Sequence, residues 1–474
     1  MSYELLRPQD ATLLYAQDPR APLQIGALAL FEAGPLRDDD GAVRIDAIRR
    51  HVEIRLRGTR FRQRLVGPAF GLGAAVWVDD PDFAVGDHVR VAALPRPGDT
   101  ATLRELMARL LETPLDPARP LWEIWVVEGV EGDRIAVIPK VSHVMADGTA
   151  LLDFMLRVLD LERGPSAPPV AAMAEGAAPP GRAQVLARAA IQRTQRQLAR
   201  SVGLLGGLRR PVRTVSTGFG LARSALAARP APPSPVNRPV GRRRDMTWMQ
   251  QPMPELQRLK RAQGVSLNDV VLAAVAGAWR DVLGGGSDPP AGAIHPRALV
   301  PVSTHLQGGE TAVENRFSLL LAELPVSVDD PLERLQRIHA EMVRRKRSAE
   351  VSIGSILLAV SDLVPAGLIR LLAPSILGRQ PVVNLAVTNL PGTDQPLYLL
   401  GSRLCEVYPF VTVIGNIALI IGVVSYGDTL GVGITVDPDV VDDVDALTAA
   451  LDRSFTELIA AGPPTRRPRA KDGV

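Results

Sequence analysis

The spacing of hydrophobic residues changes several times along the chain, between the repeats typical of strands and those typical of helices. Segments rich in β-branched and aromatic residues predict strands, whereas apolar residues three and four positions apart predict amphipathic helices. The strand-like segments are residues 25–31, 74–78, 121–127 and 134–141, and the helix-like ones are 45–57, 102–111, 149–159 and 270–279. Because both kinds of element occur in both halves of the chain, the pattern predicts an α/β fold.

The most apolar stretch runs from Tyr408 to Tyr426. It is rich in Val and Ile, and Asn416 and two glycines interrupt it. A turn at 427–429 and a second β-rich run at 430–436 follow. This pattern favours a buried hairpin over a membrane-spanning helix, which needs about 20 consecutive apolar residues.

Length and proline content predict the domain organisation. A chain of 474 residues is long for one hydrophobic core, so we expect two lobes. Prolines cluster at 165–169 and at 230–235, as is typical of a connector. The predicted parts are an N-terminal lobe at 1–163, a connector with amphipathic helices at 164–244, a C-terminal lobe at 245–461 and a polar tail at 462–474.

The connector is strongly basic, although the whole chain has a net charge of only +3. Residues 176–244 contain fourteen arginines and no Asp or Glu, so the rest of the chain is net acidic. Such asymmetry is typical of proteins that meet a polyanionic surface, either nucleic acid or anionic lipid. No nucleic-acid-reading motif is evident and aromatic residues make up only 4% of the chain, so we expect no nucleic acid partner. Leucines and Phe219 interleave with the arginines, so residues 182–244 are compatible with peripheral contact to an anionic membrane or lipid droplet, or with a solvated linker.

The counts of cysteine and histidine limit the chemistry. Cys405 is the only cysteine, which excludes a disulfide framework and a cysteine-based metal site. The six histidines are scattered, without the paired spacing of metal ligands, so we expect no metal. The first residues lack the basic and apolar regions of a secretory signal, which predicts a cytoplasmic protein.

One histidine follows directly after a predicted strand. The segments 121–127 and 134–141 predict a hairpin, in which Pro139 suggests an edge strand or a bulge. His143 comes next, in Ser142-His143-Val144-Met145-Ala146-Asp147-Gly148, before a predicted helix. A loop on rigid flanks is a common place for a reactive side chain. Position alone, however, favours an ordinary core or surface role for a single histidine.

The wider sequence resembles a known enzyme family. Ser142-His143-x-x-x-Asp147-Gly148 is similar to the H-H-x-x-x-D-G motif of bacterial wax ester synthase/diacylglycerol acyltransferases. Other blocks that resemble this family occur before and after this motif, in the order expected for the family. They lie at residues 8–11, 24–26, 61–65, 77–83, 88–90, 114–122, 268–273, 388–392 and 396–398. A lone H-x-x-x-D-G is weakly specific, whereas ordered blocks along most of the chain are strongly specific.

The resemblance implies a fold and a reaction. The family belongs to the CoA-dependent acyltransferases, whose chloramphenicol-acetyltransferase-like fold has two lobes, each a mixed sheet with helices, and an active site in the tunnel between them. The implied activity is transfer of a fatty acyl group from acyl-CoA to diacylglycerol, to a long-chain alcohol or to both, giving triacylglycerol or wax ester. Acyl-CoA would be a co-substrate, and no bound cofactor is implied. The enzyme would be cytoplasmic, or peripheral on the inner face of the plasma membrane or on lipid droplets.

The resemblance also implies residue roles. His143 would be the general base, supported by Asp147, Gly148, Asn268 and Asp269. Local sequence favours a structural role for Asp147, as a helix cap or an ion-pair partner, over one in orienting His143. It likewise favours helix capping for Asn268 and Asp269, although the resemblance places their helix near the cleft.

Ser142 departs from the family pattern, which usually has histidine at this position. Adjacent residues of a strand point to opposite faces, so residues 142 and 143 cannot both face one cleft while the strand continues. We therefore expect Ser142 to alter packing or rate without abolishing the chemistry.

Two other functions remain compatible with the sequence. One is an acyltransferase that takes its acyl group from a carrier protein instead of acyl-CoA. The other is a catalytically weak lipid-surface protein on the same fold, with Ser142 as a sign of lost activity. Joint retention of His143, Asp147 and Gly148 favours an active enzyme.

Overall fold

The computed structural model describes residues 4–6, 21–67, 75–145, 150–164, 230–283, 295–303, 317–347 and 378–463, together with Asp10, Leu14 and Asp18. These residues form two six-stranded sheets, one three-stranded sheet and helices packed against them, which confirms the predicted α/β class. Most of the predicted connector and the polar tail lie outside the described residues.

The described strands, in chain order, are β1 (Glu4–Leu5), β2 (Gln24–Glu32), β3 (Gln63–Val66), β4 (Val76–Asp79), β5 (Val89–Ala93), β6 (Trp122–Val130), β7 (Arg134–Ser142), β8 (Asp245–Pro252), β9 (Arg297–Ser303), β10 (Phe317–Glu323), β11 (Leu385–Thr393), β12 (Tyr398–Leu399), β13 (Ser402–Val411), β14 (Leu419–Tyr426) and β15 (Thr429–Val436). The α-helices are α1 (Ile45–Arg55), α2 (Val85–His88), α3 (Thr100–Glu112), α4 (Ala150–Val158), α5 (Met253–Gln263), α6 (Leu267–Ala278), α7 (Pro331–Arg347) and α8 (Val444–Ala461). Short 3-10 helices span Gly34–Leu36, Arg60–Arg62 and His143–Met145, and a π-helical turn spans Trp279–Leu283. The four strand-like and four helix-like segments of the opening pattern are confirmed as β2, β4, β6, β7, α1, α3, α4 and α6.

The first large sheet has the order β12-β13-β2-β7-β6-β5 and carries apolar residues on both faces. On β2, Ile25 and Phe31 pack with residues of α1 and α4, whereas Leu28 and Leu30 pack with α3. The alternation follows from the two-residue repeat of a strand. The small sheet, β1-β4-β3, packs beside this layer through Trp77.

The second large sheet has the order β10-β9-β11-β14-β15-β8. One face packs against α5, α6, α7 and α8 and forms the largest hydrophobic cluster. On the other face, Ala386 and Ile420 belong to a cluster with Val413 and with Ala21 of the N-terminal part. The helices therefore cover one face of this sheet, and the opposite face turns toward the first half of the chain.

The two sheets do not divide the chain at one connector as the sequence suggested. β12 and β13 lie within the predicted C-terminal lobe, yet β13 pairs antiparallel with β2 and extends the first sheet. The apolar stretch that begins at Tyr408 is consequently split between the sheets, and the predicted hairpin is β14 with β15. The hydropathy pattern predicts that a segment is a strand but not which strand it pairs with. The pairing of β13 with β2 was therefore not predicted.

The edge position suggested by Pro139 is wrong. β7 lies between β2 and β6, and Pro139 is paired opposite Ile124 of β6. The pairing of β7 with β2 keeps one register on both sides of Pro139, from Gly26–Lys140 to Ala29–Val137, so a bulge is not present there either. A proline lacks only one N–H donor, and the neighbouring ladder bonds on either side hold the strand in place.

The backbone of β13 packs directly on the second sheet at two glycines of β15. A Cβ atom on Gly431 would come closer than 3.0 Å to the carbonyl oxygen of Val407, and one on Gly433 closer than 3.0 Å to that of Pro409. Only glycine allows two backbones to approach this closely. We call this contact of Val407 and Pro409 with Gly431 and Gly433 the glycine seam.

Among the described residues, no helix has both the length and the apolar composition that a membrane crossing requires.

Candidate functional site

His143 lies where β7 ends and a 3-10 helical turn begins. Its backbone N–H donates to the carbonyl oxygen of Leu23 at 3.1 Å, and the N–H of Ser142 donates to that of Leu121 at 2.9 Å. Val144 and Met145 are buried in the cluster with β2 and β6, which anchors the turn from the other side. The half-buried imidazole is thus carried on a backbone fixed at both ends, as the sequence predicted.

Trp122, in the family-like block at residues 114–122, belongs to the core beside the end of β7. Trp122 is fully buried, its indole N–H donates to the carbonyl oxygen of Phe61 at 2.6 Å, and its ring stacks on His88 at 4.6 Å. Burial lowers the pKa of the His88 imidazole. The hydrogen bond between Nδ1 and the carbonyl oxygen of Trp122, at 2.8 Å, partly offsets this lowering. Leu121, the preceding residue, holds the end of β7 through Ser142, so the block acts as a core support, as expected for a buried tryptophan.

Ser142 lies on the α3 face of the sheet. It is paired with Gln24, whose side-chain amide donates to the carbonyl oxygens of Leu111 and Thr113 at the end of α3. The Ser142 hydroxyl accepts a bond from the N–H of Val144 at 3.4 Å. The side chain is 5% exposed, so its position agrees with the structural role predicted for it.

Lys140 lies on the same face and binds the same helix end. Its ammonium donates to the carbonyl oxygens of Leu110 at 3.0 Å and Thr113 at 3.1 Å, and Glu123 lies 3.2 Å away. Burial lowers the pKa of the Lys140 ammonium, and the Glu123 carboxylate opposes this shift. A cation at a helix C-terminus satisfies carbonyls that have no partner within the helix. The strands beside His143 are therefore tied firmly to α3.

We predict that Ser142→His leaves the implied acyl transfer within about one order of magnitude of wild type, because Ser142 lies on the face of the sheet that packs against α3. Initial rates at saturating acyl donor measure this. Ser142→Ala is the matched control, since it removes the hydroxyl without adding volume. Activity that appeared only in the histidine variant would mean that the natural protein is inactive.

Asn268 and Asp269 lie in the first turn of α6, where Asp269 forms a capping box with Ser266. The Ser266 hydroxyl accepts from the N–H of Asp269 at 3.2 Å, and Asp269 Oδ2 accepts from the N–H of Ser266 at 2.9 Å. The predicted capping by Asp269 is confirmed. α6 packs among α5, α7 and α8. Support of the active site by Asn268 and Asp269 stays a prediction.

The structure adds one partner that the sequence did not suggest. Nδ1 of His339, on α7, lies 2.9 Å from Oδ2 of Asp269, which is itself only 2% exposed. His339 sits among charged residues of an amphipathic helix, so nothing in its local pattern distinguishes it. Asp147 and Gly148 lie outside the described residues, and their roles stay predictions.

A cavity of about 480 Å³ lies at the opposite end of β13 from His143. Its lining includes Arg403 at the start of β13, Met253 at the start of α5 and the turn after Tyr426. His143 is not among the lining residues. Within the described ranges, no group of three His, Cys, Asp or Glu side chains is arranged to hold a metal ion.

Comparison with known families identifies the chain. Residues 6–271 match the wax ester synthase/diacylglycerol acyltransferase catalytic domain, and residues 313–459 match the C-terminal domain of the same enzymes. The chain belongs to the wax ester synthase/diacylglycerol acyltransferase family. It is therefore an acyltransferase of a family that makes triacylglycerol and wax esters, and the resemblance in the sequence is confirmed.

Relatives of the family cover nearly the whole chain. A Mycobacterium tuberculosis protein named as a diacylglycerol O-acyltransferase is 34% identical over 458 residues, which are 95% of this chain and 95% of that protein. A second M. tuberculosis protein, whose name also describes a diacylglycerol O-acyltransferase, is 32% identical over 480 residues, which are 96% of this chain and 90% of that protein.

Solved structures show the same fold. The wax ester synthase/diacylglycerol acyltransferase from Marinobacter aquaeolei has a TM-score of 0.66 at 23% identity, covering 96% of this chain and 98% of its own. The first condensation domain of the CDA synthetase has a TM-score of 0.60 at 17% identity, covering 98% of each chain. The predicted chloramphenicol-acetyltransferase-like architecture is confirmed by these likenesses.

Proposed function

We propose that this chain is an O-acyltransferase that moves a fatty acyl group from acyl-CoA to diacylglycerol, to a long-chain alcohol or to both, with His143 as the general base. The main support is the position of His143, which is half-buried on a rigid turn in the motif shared with this family. The named activity of the 34% identical relative supports diacylglycerol as an acceptor.

The proposed chemistry needs one group that can accept and return a proton. An aliphatic alcohol is a poor nucleophile at neutral pH, and a neutral imidazole within hydrogen-bond reach can take its proton as the oxygen attacks. The alcohol oxygen bonds to the thioester carbonyl carbon, and a tetrahedral intermediate forms. Its collapse breaks the carbon–sulfur bond, and His143 passes the proton to the departing CoA thiolate. The ester and free CoA balance the reaction without a bound cofactor.

The surroundings of His143 suit this role. The face of the second sheet opposite the described helices α5 to α8 turns toward the N-terminal part, and Ala21, close in sequence to Leu23, is buried against it. The backbone N–H of His143 donates a hydrogen bond to the carbonyl oxygen of Leu23, so the turn that carries His143 lies beside the junction of the two sheets. We infer that the substrates meet His143 between the lobes, where a water-poor space favours acyl transfer over hydrolysis.

A direct assay tests the proposal. Purified protein is incubated with labelled acyl-CoA and either diacylglycerol or a long-chain alcohol, and ester formation is followed against acyl-CoA concentration. We expect saturable transfer to at least one acceptor. Transfer from an acyl carrier protein but not from acyl-CoA would support the carrier-dependent alternative. Absence of transfer from either donor would support the lipid-surface protein without catalysis.

We further propose that residues 182–244 bring the enzyme to an anionic membrane or lipid droplet, where its lipid acceptor resides. Each well-placed arginine adds about 1 kcal/mol of attraction near an anionic leaflet, and interleaved leucines add apolar insertion. We expect replacement of five connector arginines by Gln to reduce co-sedimentation with anionic liposomes at low salt. The five are Arg193, Arg196, Arg200, Arg209 and Arg210.

A matched variant controls for net charge. It replaces five arginines on the surfaces of the lobes by Gln, namely Arg109, Arg258, Arg337, Arg344 and Arg453. We expect this variant to bind liposomes as wild type does, and both variants to retain transfer to a short soluble alcohol. Equal binding by all three proteins at low and at high salt would leave the connector as a tether only.

A further inference from the structure

Thr412 is a buried residue that directly follows β13 and binds the segment on which His143 rests. Its hydroxyl donates to the carbonyl oxygen of Pro22 at 2.6 Å and accepts from the N–H of Gln24 at 3.0 Å. Its backbone N–H donates to the carbonyl oxygen of Gln24 at 3.1 Å. The side chain is 1% exposed, so water does not compete for these bonds.

These bonds fix the two residues on either side of Leu23. The carbonyl oxygen of Leu23 in turn accepts the backbone N–H of His143 at 3.1 Å. The Thr412 hydroxyl therefore holds a short, three-residue segment whose middle carbonyl sets the position of the His143 backbone. Pro22 and Gln24 are 390 and 388 residues away in the sequence, so local pattern gave no sign of this link.

We propose that Thr412 is a positioning residue for His143, acting through the segment 22–24. This inference rests on the proposed role of His143 as general base. A general base works only when it is held close to its productive geometry, and a misplacement of about 1 Å can reduce a rate by about 100-fold. Thr412 does not touch the reacting atoms in this proposal.

Thr412 also connects the segment that holds the His143 backbone to the glycine seam between the two large sheets. It lies three residues beyond Pro409, whose carbonyl oxygen packs on Gly433 in the glycine seam. β13 is thus held on the second sheet near one end and binds the support of His143 through the next residues. The position of His143 is consequently set in part by how the C-terminal half of the chain is seated.

The alternative is that Thr412 only strengthens the pairing of β13 with β2. Ser402 provides a matched control, because it is fully buried at the other end of the same strand pair. Its hydroxyl donates to the carbonyl oxygen of Glu32 at 2.5 Å. Loss of either hydroxyl weakens the same pair of strands, but only Thr412 adjoins the support of His143.

The test compares Thr412→Val, Thr412→Ser and Ser402→Ala with wild type, by kcat, KM for acyl-CoA and thermal unfolding. We expect Thr412→Val to lower kcat by about 10- to 100-fold with KM nearly unchanged, because the base is displaced while acyl-CoA still binds. Thr412→Ser keeps the hydroxyl and should stay within a few-fold of the wild-type kcat. Ser402→Ala should lower the melting temperature but keep kcat within a few-fold.

Wild-type kcat in Thr412→Val, or equal losses of kcat in Thr412→Val and Ser402→Ala, would overturn the proposal. Thr412→Ala serves as a second hydroxyl-free variant, without added steric demand, should the valine variant not fold. His143→Ala is assayed alongside. An inactive His143→Ala with a fully active Thr412→Val rejects only the positioning role. A fully active His143→Ala rejects the proposed general base and, with it, the positioning role.

Discussion

Replacement of His143 by Ala is expected to reduce acyl transfer by about 10²–10⁴-fold, the range that general-base catalysis typically supplies. The imidazole is half-buried at the end of β7, and its backbone bond to Leu23 does not depend on the side chain. The variant should therefore fold. Initial rates under saturating acyl-CoA measure the loss, and thermal unfolding verifies that the protein is intact.

His339→Ala is a suitable control for loss of a histidine. His339 contacts Asp269 on the helical face of the second sheet. We expect this control to retain transfer within about one order of magnitude. Activity of His143→Ala within a few-fold of wild type would refute the proposed mechanism, whatever the result for His339.

Gly433→Ala is expected to destabilise the fold strongly. The added methyl group would collide with the backbone carbonyl of Pro409, which cannot rotate away as a flexible side chain can. Either β13, in the first sheet, must move away from β15, or β15 must shift within the second sheet. Overpacking typically costs about 1–3 kcal/mol, and we expect at least the upper end of that range because both partners are backbone. The measurement is the free energy of unfolding by denaturant, together with the yield of soluble protein.

Gly34→Ala is the matched control, because no atom lies within 4 Å of the Cβ position there. Substitutions at such open surface positions usually change stability by no more than about 0.5 kcal/mol. A Gly433→Ala protein as stable as wild type would show that the seam can widen without cost. A destabilised Gly433→Ala protein that also loses kcat beyond its unfolded fraction would agree with coupling of the seam to His143 through Thr412.

The sequence by itself determined the type of most elements and the strand end at which His143 lies. The strands on either side of the turn at 131–133, the helix after the motif and the Ser266 capping box all follow from patterns within about ten residues. The opposite orientation of Ser142 and His143, which was expected from the local two-residue repeat of a strand, stays a prediction because β7 ends at Ser142. The family motif identified His143 among six histidines, which its local pattern alone did not do.

The tertiary structure alone decided which strands pair beyond the two predicted hairpins, and what holds His143. β13 joins the first sheet, Pro139 lies inside that sheet, His339 meets Asp269, and Thr412 binds the segment around Leu23. These contacts join residues far apart in the chain, and backbone hydrogen bonds are chemically the same for any pair of strands. A sequence pattern therefore marks each partner as buried or extended, but only the packing of the two sheets selects which partners meet.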